Sequence, residues 1–454
     1  MKVPATTSPG AVSRARHPHK AAALLATGVA GSLSVLGSTA VSSASTHAAG
    51  TTQPLVVWVD STRVPFVKAY EKAFPNVKID LVTYDGDANG DGTMQTKTAL
   101  FNRVGHGWPD VIFSEQNIDI ASLGDSQLHF AGALNGLVPQ SIINGYAKGS
   151  LADCYVGTQL LCLRNDLAFD VLWYNTKLMA QFGYSVPTTW QQWQALGEKV
   201  ATQHPGYIIG TLGNSYDDTI YLQAAQCPVS QLTGPSTLLI NAAAPQCTGM
   251  GSLLDPLLKD GSVPAVGVFT STFTKKYTGK VLTMVGPAWY GAYLFQPSTG
   301  LNTPKGQLAA APPLRWAGDP TTTTGDVGGG LWIMSSHTTQ PKAAAAMITW
   351  LATSWPAQSI STGYPAYAPV AKRWIGAEDS SGYYAKPLAS VFAQAAGEVW
   401  AGWSPTRYAT DAIWNSTVTP QLVQGHSVSS QLANFGTQLK NYAQSDGYTV
   451  VSKA

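Results

Sequence analysis

The sequence predicts an α/β protein built in two lobes, and three observations lead there. From Leu55 to Phe113, short apolar runs alternate with stretches of helical periodicity in the order strand, helix, strand, helix, strand, the pattern of a parallel sheet flanked by helices. Of the 454 residues, roughly 400 remain after an N-terminal leader, more than one hydrophobic core supports. The third is Val281–Phe295 (VLTMVGPAWYGAYLF), where a buried strand stops at Gly286-Pro287 and a helix is expected from Ala288. That corner sets Trp289 and Tyr290 beside the unpaired N–H groups of a helix start. They serve equally well as a ligand platform or as core packing.

Leu55–Val59 is the first strand. Ser61 or Thr62 is placed to cap a helix whose Val64, Val67, Tyr70 and Phe74 recur at helical spacing. Val77, Ile79 and Leu81 alternate as a second strand. Thr93 caps a helix reaching about Val104, and Asp110–Phe113 is the third strand. Ligands of such sheets lie beyond the carboxyl ends of the strands, which here carry Trp58 and Asp60, then Ser114, Glu115 and Gln116. Asp60 and Ser61 also fit simple helix capping. Between the second strand and its helix, Asp85, Asp87, Asn89, Gly90 and Asp91 repeat the first half of a calcium loop, but Thr96 stands at the twelfth position where a bidentate Glu belongs. Asp and Gly at this density are ordinary turn chemistry, so a turn is expected and no metal is assigned.

The first fifty residues contain Lys2, Arg14, Arg16 and Lys20 but no acid, followed by an Ala/Leu/Val/Gly run to about Ala40 and small residues at Ala44–Ala49. This reads as a secretory signal over residues 1–49. No cysteine follows it to carry a lipid, and no adjacent arginine pair marks a twin-arginine signal. The whole chain has 27 basic and 25 acidic residues; removing the leader's four basic residues leaves 23 against 25, a formal charge of −2. No basic patch remains for nucleic acid. Cys154, Cys162, Cys227 and Cys247 all lie in the exported part, and an even count there implies two disulfides. Of three possible pairings, Cys154–Cys162 and Cys227–Cys247 each bracket a local loop and are expected; the spacings do not resemble zinc-ligand spacings.

Farther on, Phe169–Tyr174 (FDVLWY) reads as a strand, Asn175–Phe182 as a short helix stopped by Gly183, and Trp190, Trp193 and Leu196 as one face of a helix capped by Thr188 or Thr189. The run LWYNTKLMAQFGYSVPTTWQQW resembles a signature of bacterial extracellular solute-binding proteins of family 1, which serve carbohydrate ABC importers and include maltose-binding protein. Pro109–Gln116 (PDVIFSEQ) resembles that family's third strand, Gly286–Leu294 its Gly-Pro-Trp segment, and Gly328–Met334 with Lys342–Leu351 its glycine-rich strand and following Ala-rich helix. The resemblance runs from Leu55 to about Tyr442. It departs from the family in lacking a lipobox cysteine and in carrying cysteine pairs.

The resemblance implies a two-lobed periplasmic-binding-protein fold, type II-like, each lobe a mainly parallel sheet flanked by helices and the ligand cleft between them. Residues 54–165 and 311–352 would form lobe 1 and residues 166–310 and 353–454 lobe 2, with hinges near Asn165–Ala168, Ala310–Pro313 and Thr353–Pro356. It further implies a monomer that closes on a mono- or oligosaccharide and delivers it to importer permease subunits, with no cofactor and no catalysis. Sugar recognition needs flat rings and convergent polar groups. The stacking candidates are Trp58, Trp289, Tyr290, Tyr364 and Trp403, with Trp332 and Trp400 behind them. The hydroxyl-binding candidates are Asp60, Glu115, Asn214, Asp217, Arg407 and the N–H groups of Gly329 and Gly330; Tyr216, after a strand ending near Leu212, fits either role. Core packing and, for the glycines, a tight turn are the competing readings. A secreted polysaccharide-active enzyme, or the same fold binding a polyol, glycerophosphodiester or peptide, is the alternative; the scattered histidines and the absence of a Gly-x-Ser-x-Gly elbow, a Walker loop or a facing carboxylate pair argue against catalysis.

Overall fold

The computed structural model describes residues 53–453; the expected leader lies outside them. In chain order, the elements that position the site are β1 (Leu55–Val59), α1 (Val64–Ala73), β2 (Ile79–Thr83), α2 (Thr93–Val104), β3 (Val111–Ser114), β4 (Cys162–Arg164), β5 (Asp170–Asn175), α3 (Thr176–Phe182), α4 (Trp190–Gln203), β6 (Thr283–Pro287), β7 (Leu308–Ala311), β8 (Leu331–Met334), α5 (Pro341–Thr353), α6 (Trp355–Gln358), α7 (Ala368–Ser380) and α8 (Thr410–Thr417). Asn175 caps α3 through the Leu178 N–H and Thr189 caps α4 through the Gln192 N–H. Gly183 ends α3 at φ +70°, a conformation open to a residue without Cβ.

Two main sheets define a two-lobed α/β fold. The first has the order β2-β1-β3-β8-β4. β1 runs parallel to both β2 and β3, with Val57 opposite Leu81 and Val111, whereas β8 is antiparallel to β3 and β4. The second sheet, β6-β5-β7, is antiparallel throughout. The expectation of mainly parallel sheets therefore holds for only three strands. The reason is the chain path: β3 ends at Ser114-Glu115, and β8 starts opposite that same end, Leu331 facing Ser114, so it must run back the other way. β3 and β5 are buried along their full length, as expected for apolar strands covered on both faces.

Several local expectations change. Neither Ser61 nor Thr62 caps α1; Asp60 instead accepts bonds from the Thr62 N–H (2.6 Å) and hydroxyl. Thr93 is the first residue of α2, after Gly92 at φ +71°, and its hydroxyl donates to Asp85 (2.7 Å). The strand expected to end near Leu212 reduces to one bridge, Ile208 to Val281. After β6 no α-helix forms; Gly291–Phe295 makes a π-helical turn. The cysteines pair as Cys154–Cys162 and Cys227–Cys247.

Backbone hydrogen bonds mark which sheet each connecting segment keeps to. Arg315 exchanges backbone bonds with Thr188 and Trp190 at the start of α4, and Gly325 accepts from the Asp170 N–H, so residues 315–325 stay with the second sheet. Only at Gly330, whose carbonyl accepts from the Asn165 N–H (2.7 Å), does the chain rejoin the first. Likewise α6 packs on α1, Gln358 donates to Asn165 (2.8 Å), and Arg373 of α7 lies over the Trp355 ring (4.0 Å). The return to the second sheet follows α7, where Tyr384 stacks on Trp173 and Ala385 bonds Leu308.

Candidate ligand-binding site

Two adjoining chambers of about 360 and 400 Å³ open where the ends of β3 and β8 meet the segments after β6 and before α8. Gln116, Gly328 and Asp411 line both, so the chambers form one continuous cleft. One wall of the first chamber is aromatic. Trp289 is half-buried, and its Nε1–H donates to the Val327 carbonyl (3.0 Å), which fixes the ring. Phe269 lies nearly parallel to it, with centroids 6.0 Å apart, and Tyr293 meets both rings edge-on. Phe269 and Tyr293 are 52% and 44% exposed, an unusual cost for large rings unless something covers them.

The other wall is polar. Arg63, at the start of α1, lies over the Phe113 ring at 4.2 Å and pairs with Asp166 at 3.6 Å; Asp166 also accepts from the Gly330 N–H (3.3 Å). Glu115 faces the same space. Burial, followed by the negative charge of Asp60, raises its carboxyl to a pKa of about 7 despite the nearby Arg63. In the second chamber Arg164 bonds Asp326 (3.0 Å) and the Gly328 carbonyl (3.2 Å), and Trp400 and Trp403 supply the apolar surface. At the seam, Asp411 accepts from the Thr219 hydroxyl (3.1 Å). Burial and the Asp411 charge push the adjoining Asp218 well above the usual carboxylate range. The cleft thus pairs rings with a surplus of carboxyl groups over guanidinium groups, an environment for polar ligands without negative charge.

Residues 57–354 match the family model described as bacterial extracellular solute-binding protein. The chain belongs to that family. Among solved structures, the galacto-N-biose/lacto-N-biose I-binding protein of an ABC transporter from Bifidobacterium longum, in complex with lacto-N-biose, is 16% identical at a TM-score of 0.75, over 89% of this chain and 100% of that one. The ABC transporter-associated binding protein of B. animalis subsp. lactis, in complex with β-1,6-galactobiose, is 16% identical at 0.72, over 87% and 99%. Maltose-bound MalE3 of T. maritima is 15% identical at 0.65, over 85% and 99%. At these identities the likeness is one of fold. Comparison with curated proteins returns no match. Among the described residues, no helix is long and apolar enough to cross a membrane.

In this solute-binding protein, six of the stacking and hydroxyl-binding candidates line the cleft: Glu115, Tyr216, Trp289, Gly329 and Gly330 in the first chamber and Trp403 in the second; Gln116, noted at the same strand end as Glu115, lines both. Trp400, ranked behind, lines the second chamber too, whereas Trp332 is fully buried. The Gly330 N–H is already bonded to Asp166, and a Cβ on Gly329, which sits at φ +85°, would collide with the Arg164 guanidinium, so the turn that delivers β8 also requires glycine there. The remaining candidates fall outside the chamber linings. Tyr290 is fully buried, its hydroxyl 3.1 Å from that of Tyr216. Trp58 packs edge-on against Phe101, and Tyr364 against Phe169, Phe392 and Trp374. Asp60 is the turn cap described above. Asn214 and Asp217 bond each other, and Asn214 also accepts from the Val268 N–H. Arg407 pairs with Asp125 (3.3 Å) and donates to the Asp446 carbonyl (2.9 Å).

Sequence reasoning passed over Arg63, Asp166, Phe269, Tyr293 and Asp411. One signal was present: Tyr293 stands four residues after Trp289, and the Tyr293 N–H bonds the Trp289 carbonyl, so the two share a face.

Proposed function

We propose that this solute-binding protein captures an uncharged carbohydrate and delivers it to an ABC importer. The observation that carries the reading is the first chamber: a fixed Trp289 with Phe269 and Tyr293 exposed beside it, facing Arg63, Glu115 and Asp166. A pyranose offers C–H faces to rings and hydroxyls to charged hydrogen-bonding groups, and this wall-to-wall division matches it. Continuity with a second chamber holding Trp400 and Trp403 favours a ligand of more than one ring. The carboxyl surplus disfavours a glycerophosphodiester. Similar folds solved with lacto-N-biose, β-1,6-galactobiose and maltose support the same ligand class.

In this reading the protein is exported, monomeric and non-catalytic. Its lobes close on the ligand by hinge motion, which the ligand stabilises by touching both. We place the hinges at Asn165–Ala168, at Asp326–Gly330 and after α7, the last two later in the chain than the sequence reading has them. Calorimetric titration of the mature chain with mono-, di- and trisaccharides, alongside sugar phosphates and chromogenic glycosides, tests it. One-to-one binding of a neutral oligosaccharide without turnover is expected. Silence across the panel, preference for the phosphates, or glycoside hydrolysis would overturn it.

A further inference from the structure

The loop that leads into α2 carries chemistry that sugar binding does not use. Asp85, Asp87 and Asp91 each bring one carboxylate oxygen into a group whose members all lie within 4.8 Å of one another. Asp85 and Asp91 are exposed, but Asp87 is fully buried. Its Oδ1 accepts from the Met94 N–H (2.8 Å), whereas its Oδ2 is sealed from solvent and receives no hydrogen bond from a donor; the buried carboxyl of Asp119 stands against that of Asp87, a second acid beside the loop. None of the three carboxylates is in an ion pair among the described residues. A sealed carboxylate oxygen with no donor costs several kcal/mol unless it holds a proton or meets a cation.

We propose that Asp85, Asp87 and Asp91 form a divalent-cation site, and that calcium is its ion. All the side-chain donors are hard oxygens, which excludes the softer metals; calcium also accepts irregular oxygen cages, whereas magnesium demands a near-octahedral one. The three residues occupy positions one, three and seven of a calcium loop, with Gly90 at the sixth. Thr96 in place of the bidentate Glu at position twelve weakens the site into the range of extracellular modules, a dissociation constant of about 0.1–1 mM. Ion binding also has a route to the cleft. Ala88 lines the first chamber, and Gly90 packs so closely on Ala409 that a Cβ at residue 90 would lie 2.7 Å from the Ala409 Cβ, two residues before Asp411. An occupied loop therefore holds one wall of the cleft.

The test uses the mature chain stripped with EDTA, titrated with calcium chloride or magnesium chloride in calorimetry and thermal melting, without sugar, so that it stands apart from the question of ligand. Expected are one calcium per chain, a saturating rise in melting temperature, and a magnesium response at least about tenfold weaker. Asp85→Asn and Asp91→Asn, both at exposed positions and each keeping an amide oxygen to accept from the Asp87 and Thr93 N–H groups, should lose the calcium response while their metal-free melting temperature stays at or above that of the wild type, since each relieves like-charge repulsion. No saturable response up to about 10 mM calcium, an equal response to magnesium, or a wild-type response in both variants would overturn the proposal.

Discussion

Glu115 shows how a single residue ties the cleft to the fold. Its pKa of about 7, set first by burial and then by Asp60, compares with an ordinary value of 4.5. Its contribution to stability is therefore fully present below pH 4.5 and is lost as pH rises through 7, because the buried ionised form is penalised only in the folded state. Glu115→Gln should melt with the wild type near pH 4.5 and above it at pH 8, by up to about 3 kcal/mol; thermal melts across this range check it, and identical profiles for both proteins would contradict the burial argument. Residue identities were most legible where a strand end faces the cleft, as with Glu115 after β3 and Trp289 after β6; Tyr216 and Trp403 line it from segments without a strand. Asn214 and Asp217 stand at a comparable turn but are consumed by each other and by the Val268 N–H, and nothing in one sequence separates a polar group spent on its own backbone from one left for a ligand. Arg63, Asp166 and Asp411 come from a helix start, a crossing segment and a distant helix, so only the folded chain brings them together.

At the level of elements, the glycine turn before β8 and the two disulfides carry the clearest consequences. A Cβ on Gly330 would come 2.0 Å from the Phe113 ring, on which Arg63 rests. Gly330→Ala should cost about 1–3 kcal/mol in denaturant unfolding by overpacking, and weaken ligand binding because Arg63 must move with the ring; unchanged stability would show that the turn yields freely. The Cys227–Cys247 loop spans 20 residues and the Cys154–Cys162 loop 8. On loop entropy alone, losing the longer link should cost ~0.8 kcal/mol more than losing the shorter, measurable with paired Cys→Ser variants; the reverse order would place the stabilisation in native packing. Helices with strong caps, α3 and α4 above all, were readable because Asn175 and Thr189 sit directly before regular apolar spacing. The turn after β6 was not, since Gly291 admits Trp173 and Tyr384 so closely that their packing, which is non-local, sets the backbone there.

For the whole molecule, the two-lobed fold was legible from the order of motifs, while strand direction was not. Direction follows from where the chain leaves one sheet and rejoins the other, and hydrophobic pattern alone does not encode that path. The consequence for function is that the cleft is assembled from residues as far apart as Arg63 and Asp411, so a ligand bridging them reports on the relation between lobes as well as on local contacts. The proposed function rests on Trp289 as the principal stacking surface of a carbohydrate cleft. It is tested most directly by titrating the same neutral oligosaccharide into the wild type and Trp289→Ala by calorimetry, with melting temperatures of both recorded in parallel. Affinity should fall roughly 10- to 100-fold, about 1.4–2.7 kcal/mol, with a smaller loss of melting temperature than a fully buried ring would give, since Trp289 is only partly buried. Unchanged affinity together with a large loss of stability would contradict it and return Trp289 to the core.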